Sequence, residues 1–314
     1  MALIKYVLRR LVQAVPTLVG VALIIFFMLR VLPGDPAVII AGPEASKEQV
    51  EEIRRQLGLD KPLHEQLFLF FGDLFRGDLG KSARTGRPVT VEVMEKLPNT
   101  ILLTVMAHII AVPTGIVAGV VAAIKRNSSI GLGITFASLF GISMPVYWLG
   151  LMLILVFSVT LKLLPAGGIG SPSHLILPSI VLALFLMANI VRITKASMLE
   201  VLGQNFIRTA RAKGLREKVV LYRHALKNSL IPVITISGIQ FGSLLGGAVL
   251  TETVFAYPGM GRLIVDGILA RDYPLVQGAI LIFATLFVAV NVVIDILYAY
   301  VDPRVRESLW IARP

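Results

Sequence analysis

The chain has 314 residues, of which 56% are hydrophobic and 16% charged, and its mean hydropathy is +0.81. A soluble domain carries about 25% charged residues, so the composition excludes an ordinary soluble protein and predicts a polytopic membrane protein. The formal net charge is +11, but the cations lie beside apolar runs, which indicates orientation in a membrane rather than binding to nucleic acid.

The first third of the chain predicts a membrane span followed by a polar insertion. Residues 1–31 comprise a cytoplasmic N-terminus and a span at about Leu11–Leu29. No small-x-small cleavage site follows this span, so a retained anchor is expected rather than a signal peptide. Residues 32–97 form the insertion, and its predicted helices are one after a Ser46–Gln49 capping box, one at about Pro62–Phe75 and one at about Val89–Leu97.

Five further apolar runs predict five more spans in a membrane domain at 98–302, which precedes a short tail at 303–314. Six spans place both termini on one side. Cations concentrate before the first span, after the second and fourth spans and in the tail, so the positive-inside rule places both termini in the cytoplasm and the insertion outside. The five predicted spans are Thr100–Ile124, Leu132–Val159, Leu175–Val191, Leu230–Leu250 and Leu275–Tyr300.

No residue pattern predicts a catalytic group, a nucleotide site or a metal site in this chain. The sequence lacks a G-x-x-x-x-G-K-[ST] loop and any cysteine, and its four histidines share no metal-ligand spacing. His108 lies within a predicted span, where a neutral imidazole bonded to a neighbouring helix is favoured over a functional role. Asn291 and Asp295 share one face of the last span, and a tie between helices is favoured over a cation path.

Two sets of residues in the spans are candidates for a translocation path or a subunit interface. A proline predicts a kink in the third span beside two aromatic residues, which marks either a permeation path or an interfacial aromatic belt. Glycines at four-residue spacing in the fifth span allow a close helix approach, either inside the chain or at a pore or subunit interface. The six residues are Pro145, Tyr147, Trp148, Gly238, Gly242 and Gly246.

The segment Gln204–Pro232 is the largest basic stretch between apolar runs. Asn205–Lys213 is predicted to form a short helix that stops at Gly214, with Lys213 at the negative end of the helix dipole. A second basic helix is predicted at Leu215–Leu226. A polybasic patch on anionic lipid and a solvated loop are the alternatives, but a flat helix ending in a glycine turn is more than lipid binding requires.

The amino-acid sequence of this segment resembles that of a known family. Phe206–Gly214 reads FIRTARAKG and Arg223–Pro232 reads RHALKNSLIP, which resemble YIRTARAKG and RHALRNALIP of the dipeptide and oligopeptide permeases of ABC importers. The general Glu-Ala-Ala-x-x-x-Gly coupling motif of ABC importer permeases is matched at Ala210 and Gly214, whereas Arg208 replaces the glutamate. Further similar motifs are LPGDP at 32–36, LGLDKPL at 57–63, RGDLGKS at 76–82, SMPVYW at 143–148, TETVFAYPGMGRL at 251–263, RDYPLVQ at 271–277 and DPRVR at 302–306.

The resemblance implies a fold, a set of partners and a set of residues that couple the chain to its ATPase. The fold is an all-α polytopic type I ABC permease with six transmembrane helices, both termini in the cytoplasm of a prokaryote and an extracytoplasmic helical insertion. The partners are a second homologous permease, an extracytoplasmic solute-binding protein, membrane lipid and two ATP-binding subunits that hold the ATP and magnesium, whereas nucleic acid is not expected. The residues implied to couple this chain to the ATPase are Arg208, Thr209, Ala210, Arg211, Ala212, Lys213, Gly214 and Leu215.

The resemblance implies a substrate class without fixing the substrate. Dipeptides and oligopeptides are expected, and glutathione and nickel complexes are the alternatives. The short loop between the third and fourth spans is similar to that of glutathione-type members. From different classes, a stand-alone carrier or channel and a lipid-binding scaffold are the other hypotheses.

Overall fold

The computed structural model describes residues 2–31, 35–42, 44–56 and 58–301. These residues are helical apart from loops and one isolated bridge between Lys81 and Pro88. They divide into two compact units, of which one comprises the described parts of 1–8, 101–257 and 289–314 and the other those of 9–100 and 258–288. The motif at 302–306 and the predicted tail at 303–314 lie outside the described residues, as do the first three residues of the motif at 32–36 and the first of that at 57–63.

Thirteen α-helices are present among the described residues, with two π-helical turns and one 3-10 turn between them. The π turns are Ile154–Thr160 and Val220–Leu226, and the 3-10 turn is Pro172–Leu175. The α-helices are α1 Ala2–Val31, α2 Pro36–Ala41, α3 Lys47–Gln56, α4 Leu63–Phe75, α5 Val89–Ile124, α6 Ser129–Ser143, α7 Val146–Leu153, α8 Ile176–Leu202, α9 Asn205–Ala212, α10 Glu217–Val219, α11 Lys227–Val254, α12 Met260–Leu269 and α13 Tyr273–Val301.

Within the described ranges, five helical segments are long and apolar enough to cross a membrane, and one broken helix pair brings the number to six if it counts as a single span. The prediction of an all-α polytopic membrane protein is therefore confirmed for the described residues. The predicted helix Val89–Leu97 and the predicted span Thr100–Ile124 form one continuous helix, α5. The five segments are Arg9–Val31, Val89–Ile124, Pro172–Leu202, Glu217–Leu245 and Tyr273–Ile294.

The predicted third span is broken rather than kinked. Its two halves, Ser129–Ser143 and Val146–Thr160, meet at an angle of 103°. Met144 has extended backbone angles, φ −76° and ψ 131°, because the ring of Pro145 disfavours the helical conformation in the residue before it. Pro145 then begins α7 as its N-cap, a position where the missing N–H costs little.

Helix α8 is the centre of the unit that contains residues 101–257. It packs against α6, α7 and α11, and Leu182 and Leu186 on its surface are almost completely buried. Helix α5 approaches it closely at Gly115, where a Cβ atom would lie 2.8 Å from Cγ2 of Ile190. A side chain at this glycine would therefore separate the two helices.

The unit of residues 9–100 and 258–288 is organised around the beginnings of α5 and α13. Buried Val89 and Val93 of α5 pack with Met260 of α12 and Leu275 of α13. The predicted capping box is confirmed, because the Ser46 amide donates to Oε1 of Gln49 at 2.9 Å and the Gln49 amide donates to Oγ of Ser46 at 3.3 Å. The predicted helix Pro62–Phe75 is also confirmed as α4.

Candidate functional site

Helix α9 lies on the surface of its unit and is anchored through one face. Ile207 and Ala210, three residues apart on a helix, are 0% and 7% exposed. They pack into a cluster with the last turns of α5 and α8 and with the π turn that follows α10. Ala210, predicted among the coupling residues, therefore anchors α9 and is not part of its exposed face. The cluster's other buried members are Val120, Ala123, Met198, Val220 and Ala225.

A glycine turn ends α9 in the way that the sequence predicts. Gly214 has φ +74°, the left-handed conformation that glycine adopts without the steric cost of a Cβ atom. Its amide donates to the Arg211 carbonyl at 2.9 Å, and the Leu215 amide donates to the Ala210 carbonyl at 3.4 Å. These two bonds form a Schellman motif, which satisfies carbonyl groups that the helix end leaves open.

An ion pair closes the same turn. Arg211 donates from Nε to Oε2 of Glu217 at 3.1 Å and from Nη2 to Oε1 at 2.7 Å. The hydrogen bond to the Glu217 carboxylate raises the pKa of the Arg211 guanidinium. Both side chains are about half exposed, so the pair contributes at most about 1 kcal/mol to stability. Its structural role is to hold the first residues of α10 against the end of α9.

The outward face of α9 and its turn combines apolar and cationic groups. Phe206 and Leu215 are 44% and 40% exposed, so two large apolar side chains lie on this face. Arg208 and Lys213 are also exposed, and neither forms an ion pair within the part of the chain that the structure describes. The remaining exposed residues of the predicted site are Thr209, Arg211 and Ala212.

The turn connects α9 directly to a membrane-spanning segment. Helix α10, the π turn Val220–Leu226 and α11 follow one another without a break. The predicted second basic helix, Leu215–Leu226, therefore begins at Glu217 and is mostly π-helical. Single π turns inserted in helices occur frequently at functional sites. Helix therefore continues without interruption from Glu217, just after the turn, into α11.

The candidate pathway residues occupy different environments. Tyr147 and Trp148 follow the break at Pro145 and are 51% and 41% exposed. Gly238 packs inside the chain, because a Cβ atom there would lie 2.6 Å from Cγ2 of Ile294 on α13. Gly242 is buried. The surroundings of Gly246 and of the Asp295 side chain lie outside the described part of the chain.

His108 is held by backbone groups of two helices. Its Nδ1 lies 3.0 Å from the Thr104 carbonyl on α5, and its Nε2 lies 3.4 Å from the Ser237 carbonyl on α11. The ring also packs edge-on against Phe241, with the centroids 4.8 Å apart. A neutral imidazole donates to only one of these two carbonyls at a time, and the donation to Ser237 is the predicted tie to a neighbouring helix.

Comparison with known families decides the class of this protein. A family model described as a binding-protein-dependent transport system inner membrane component matches residues 115–307, which is more than half of the chain. A second model, for the N-terminal part of such membrane components, matches residues 3–104. The chain belongs to this family of inner membrane permeases.

Curated relatives of this permease match it over nearly its full length. A putative peptide transport system permease protein of Brucella abortus (strain 2308) is 47% identical, covering 96% of this chain and 98% of the relative. A glutathione transport system permease protein of Escherichia coli O6:H1 is 45% identical over 97% and 99% of the two chains. A dipeptide transport system permease protein of Alkalihalophilus pseudofirmus is 42% identical over 97% and 100%.

A solved structure shares the fold of this permease. The inward-facing MetNI methionine ABC transporter matches with a TM-score of 0.59 at 15% identity, covering 68% of this chain and 97% of that chain. The type I ABC permease fold expected from the sequence is therefore confirmed. At this identity the match concerns the fold alone.

The permease also contains a buried carboxylate network that sequence reasoning missed. Asp272, 1% exposed, accepts hydrogen bonds from Oγ of Ser82 at 2.5 Å and from the amides of Ala83, Arg84 and Leu275 at 3.1, 3.2 and 3.1 Å. The network caps α13 and binds the turn at 82–84. The motifs RGDLGKS and RDYPLVQ contain Ser82 and Asp272, but no sequence pattern indicates that the two motifs are in contact.

A second contact that the sequence does not predict lies at the end of α11. The Gly168 amide donates to the Phe255 carbonyl at 2.8 Å, and a Cβ atom at Gly167 would lie 2.0 Å from the same oxygen. The glycine-rich loop between the π turn Ile154–Thr160 and α8 is therefore packed on the Phe255 backbone. Gly167 has to be glycine because only hydrogen fits there.

Proposed function

We propose that this permease forms half of the translocation pathway of an ATP-driven importer for peptides that a solute-binding protein delivers. The relatives named for peptide, dipeptide and glutathione transport support this substrate class. The observation that carries the proposal is the exposed, anchored helix α9 with its Gly214 turn. A helix presented in this way can receive movement from a partner and pass it to the spans.

The proposal requires partners that supply energy and selectivity. They are a second homologous permease, two ATP-binding subunits that hold ATP and magnesium, and an extracytoplasmic solute-binding protein. In this arrangement the permease supplies no catalytic group and lies in the cytoplasmic membrane of a prokaryote. Both termini and α9 face the cytoplasm, since the cations flank the same ends of the spans.

The proposed coupling mechanism uses α9 as a rigid element. When two ATP-binding subunits close around ATP, a groove on one of them moves α9 with it. Ile207 and Ala210 transfer this movement to the ends of α5 and α8, and the helix continuous with α10 transfers it to α11. The spans then rock between inward-open and outward-open states, which is a form of alternating access.

The outward face of α9 defines the chemistry of that groove. Phe206 and Leu215 offer apolar surface, which calls for an apolar pocket on the ATP-binding subunit. Arg208 stands where the general motif has glutamate and is exposed, so it calls for an acidic or neutral groove edge. Arg211 is already paired with Glu217 and contributes less to recognition.

Reconstitution in liposomes tests the proposed function. The complete complex with binding protein and ATP is expected to take up labelled dipeptides or oligopeptides, and the same liposomes without ATP or without the ATP-binding subunits are expected to take up none. Competition by glutathione and by nickel complexes would define the substrate within the class. Uptake by the permease alone would contradict the proposal and favour a stand-alone carrier or channel.

A further inference from the structure

The unit of residues 9–100 and 258–288 contains a cavity that the coupling mechanism does not use. Its volume is about 310 Å³, which is at the lower end of the range of ligand pockets. It is lined by α1, α3, α4 and α13 and by neighbouring loops. Three cations and two carboxylates contribute to its wall, and they are Arg30, Arg55, Lys61, Asp73 and Asp78.

The guanidinium group of Arg30 is fixed in this wall with one edge unused. Its Nε donates to Oε1 of Gln66 at 2.8 Å, and its Nη1 donates to the Phe26 carbonyl at 3.1 Å. The group also lies 3.5 Å from the centroid of the Phe26 ring. Its Nη2 forms no hydrogen bond within the described residues. A guanidinium held on two sides keeps a preorganised donor for an anionic oxygen.

Gln277 of α13 provides a second donor without a partner. Gln277 is 9% exposed, and its side-chain Nε2 is buried and forms no hydrogen bond to any described residue. Buried amide donors in proteins are nearly always paired, so this one calls for a group that enters the cavity. The three cations of the wall outnumber its two carboxylates, of which Asp78 accepts from the Gly80 amide and Asp73, with a side chain 55% exposed, lies 3.8 Å from Arg76.

The position of Arg30 on α1 places the cavity at the level of lipid head groups. Arg10 and Arg30 bracket the apolar part of α1, and at 1.5 Å per residue they are separated by about 30 Å, the thickness of the hydrocarbon core. Helix α4, which also lines the cavity, exposes Phe68 and Phe75 at 76% and 85%. Such exposed aromatic side chains are typical of a helix that lies in the membrane interface.

We propose that this cavity is a phospholipid site in which Arg30 and Gln277 bind the head-group phosphate. The phosphate oxygens accept from Nη2 of Arg30 and from Nε2 of Gln277, and the acyl chains lie along the exposed apolar face of α1. The lipid holds the end of α1 to α4 and α13. The site is independent of α9 and of the substrate.

Lipid binding to the purified full-length protein, followed by native mass spectrometry, tests this site. Delipidated protein is expected to bind dioleoyl phosphatidylglycerol and not dioleoylglycerol, which has the same chains without a phosphate. Inorganic phosphate and a dipeptide with a free carboxylate serve as the soluble anions, and neither is expected to displace the lipid at millimolar concentration. Equal binding of the two lipids, or displacement by either anion, would overturn the proposal.

Gln277→Leu is the decisive variant, since it removes a donor that is unpaired within the described residues and so breaks no hydrogen bond of that donor. It is expected to weaken phosphatidylglycerol binding about fivefold, and Arg30→Gln about tenfold or more, because the second change removes a charged donor. Arg84→Gln is the matched control, as Arg84 is exposed and does not line the cavity. If Gln277→Leu and Arg84→Gln bind the lipid equally well, the site is not the one proposed.

Discussion

Gly214 is the residue at which the coupling hypothesis can be tested with the least disturbance of the fold. It has φ +74°, and a Cβ atom added there would meet no heavy atom within 4 Å. A Cβ atom at this position therefore acts through the backbone conformation and not through a clash within the described residues. Valine resists the left-handed conformation most strongly, whereas asparagine tolerates it.

The expected cost of Gly214→Val follows from this geometry. A left-handed conformation costs a non-glycine residue roughly 1–2 kcal/mol, which changes the ratio of the closed turn to alternative conformations about 5–30-fold. A membrane domain anchored by α8 and the cluster around Ile207 should keep its fold at this cost. This free-energy cost should therefore change the position of α9 and leave the global stability of the permease unchanged.

The assay is a comparison of three proteins in the reconstituted complex. Gly214→Val is expected to lower ATP-coupled peptide uptake about tenfold or more, while Gly214→Asn stays within about twofold of the unchanged protein. Thermal stability and membrane insertion of both variants serve as controls. If Gly214→Val left both assembly with the ATP-binding subunits and ATP-coupled uptake intact, the assignment of α9 as the coupling element would be wrong.

The remaining predictions concern four single side chains. Ile207→Ala should destabilise the permease by about 2–5 kcal/mol, measured as a fall in melting temperature, because Ile207 is fully buried. Phe206→Ala, one residue away and exposed, should leave the melting temperature unchanged and weaken affinity for the ATP-binding subunit; an equal fall for both variants would contradict the proposed faces of α9. Arg208→Glu should lower the same affinity about tenfold or more, measured by titration in nanodiscs, and an unchanged affinity would exclude an acidic groove edge. Asp272→Asn should expose the turn at 82–84 to proteolysis, since it replaces one of the two acceptor oxygens by an NH2 group and removes the charge that makes each hydrogen bond worth about 1.5–3 kcal/mol, whereas Asp266→Asn, with a side chain 53% exposed, should not.

Features that depend on neighbouring residues in the chain could be predicted from the sequence. The stop of α9 at Gly214 and the cap at Ser46 are local, because the hydrogen bonds that form them join residues three to five positions apart. The helical spans were predictable because hydrophobic length alone decides whether a helix can cross a membrane. The place of the break at Pro145 was predicted for the same local reason, since proline restricts the residue before it.

Features that depend on tertiary packing were not predictable. The 103° angle at Pro145 is set by what each half of the broken helix packs against, and a local rule gives only its position. Asp272 binds a turn 188 to 190 residues earlier in the chain, and no periodicity relates two such segments. Ala210 matches the family motif in letters, but its burial follows from the docking of α9 on α5 and α8, which the motif does not describe.

The central claim is that the outward face of α9 contacts an ATP-binding subunit. The chain has no cysteine, so single cysteines can be introduced on a clean background. Ala212 and Ala210 form a matched pair on the same helix, the first exposed and the second 7% exposed. With a short cross-linker that reacts with the cysteine thiol at one end and with a lysine amine of the ATP-binding subunit at the other, Ala212→Cys is expected to form a cross-link to that subunit in the assembled complex, while Ala210→Cys is not. Absence of the cross-link from Ala212→Cys, or equal cross-linking from both positions, would contradict the claim.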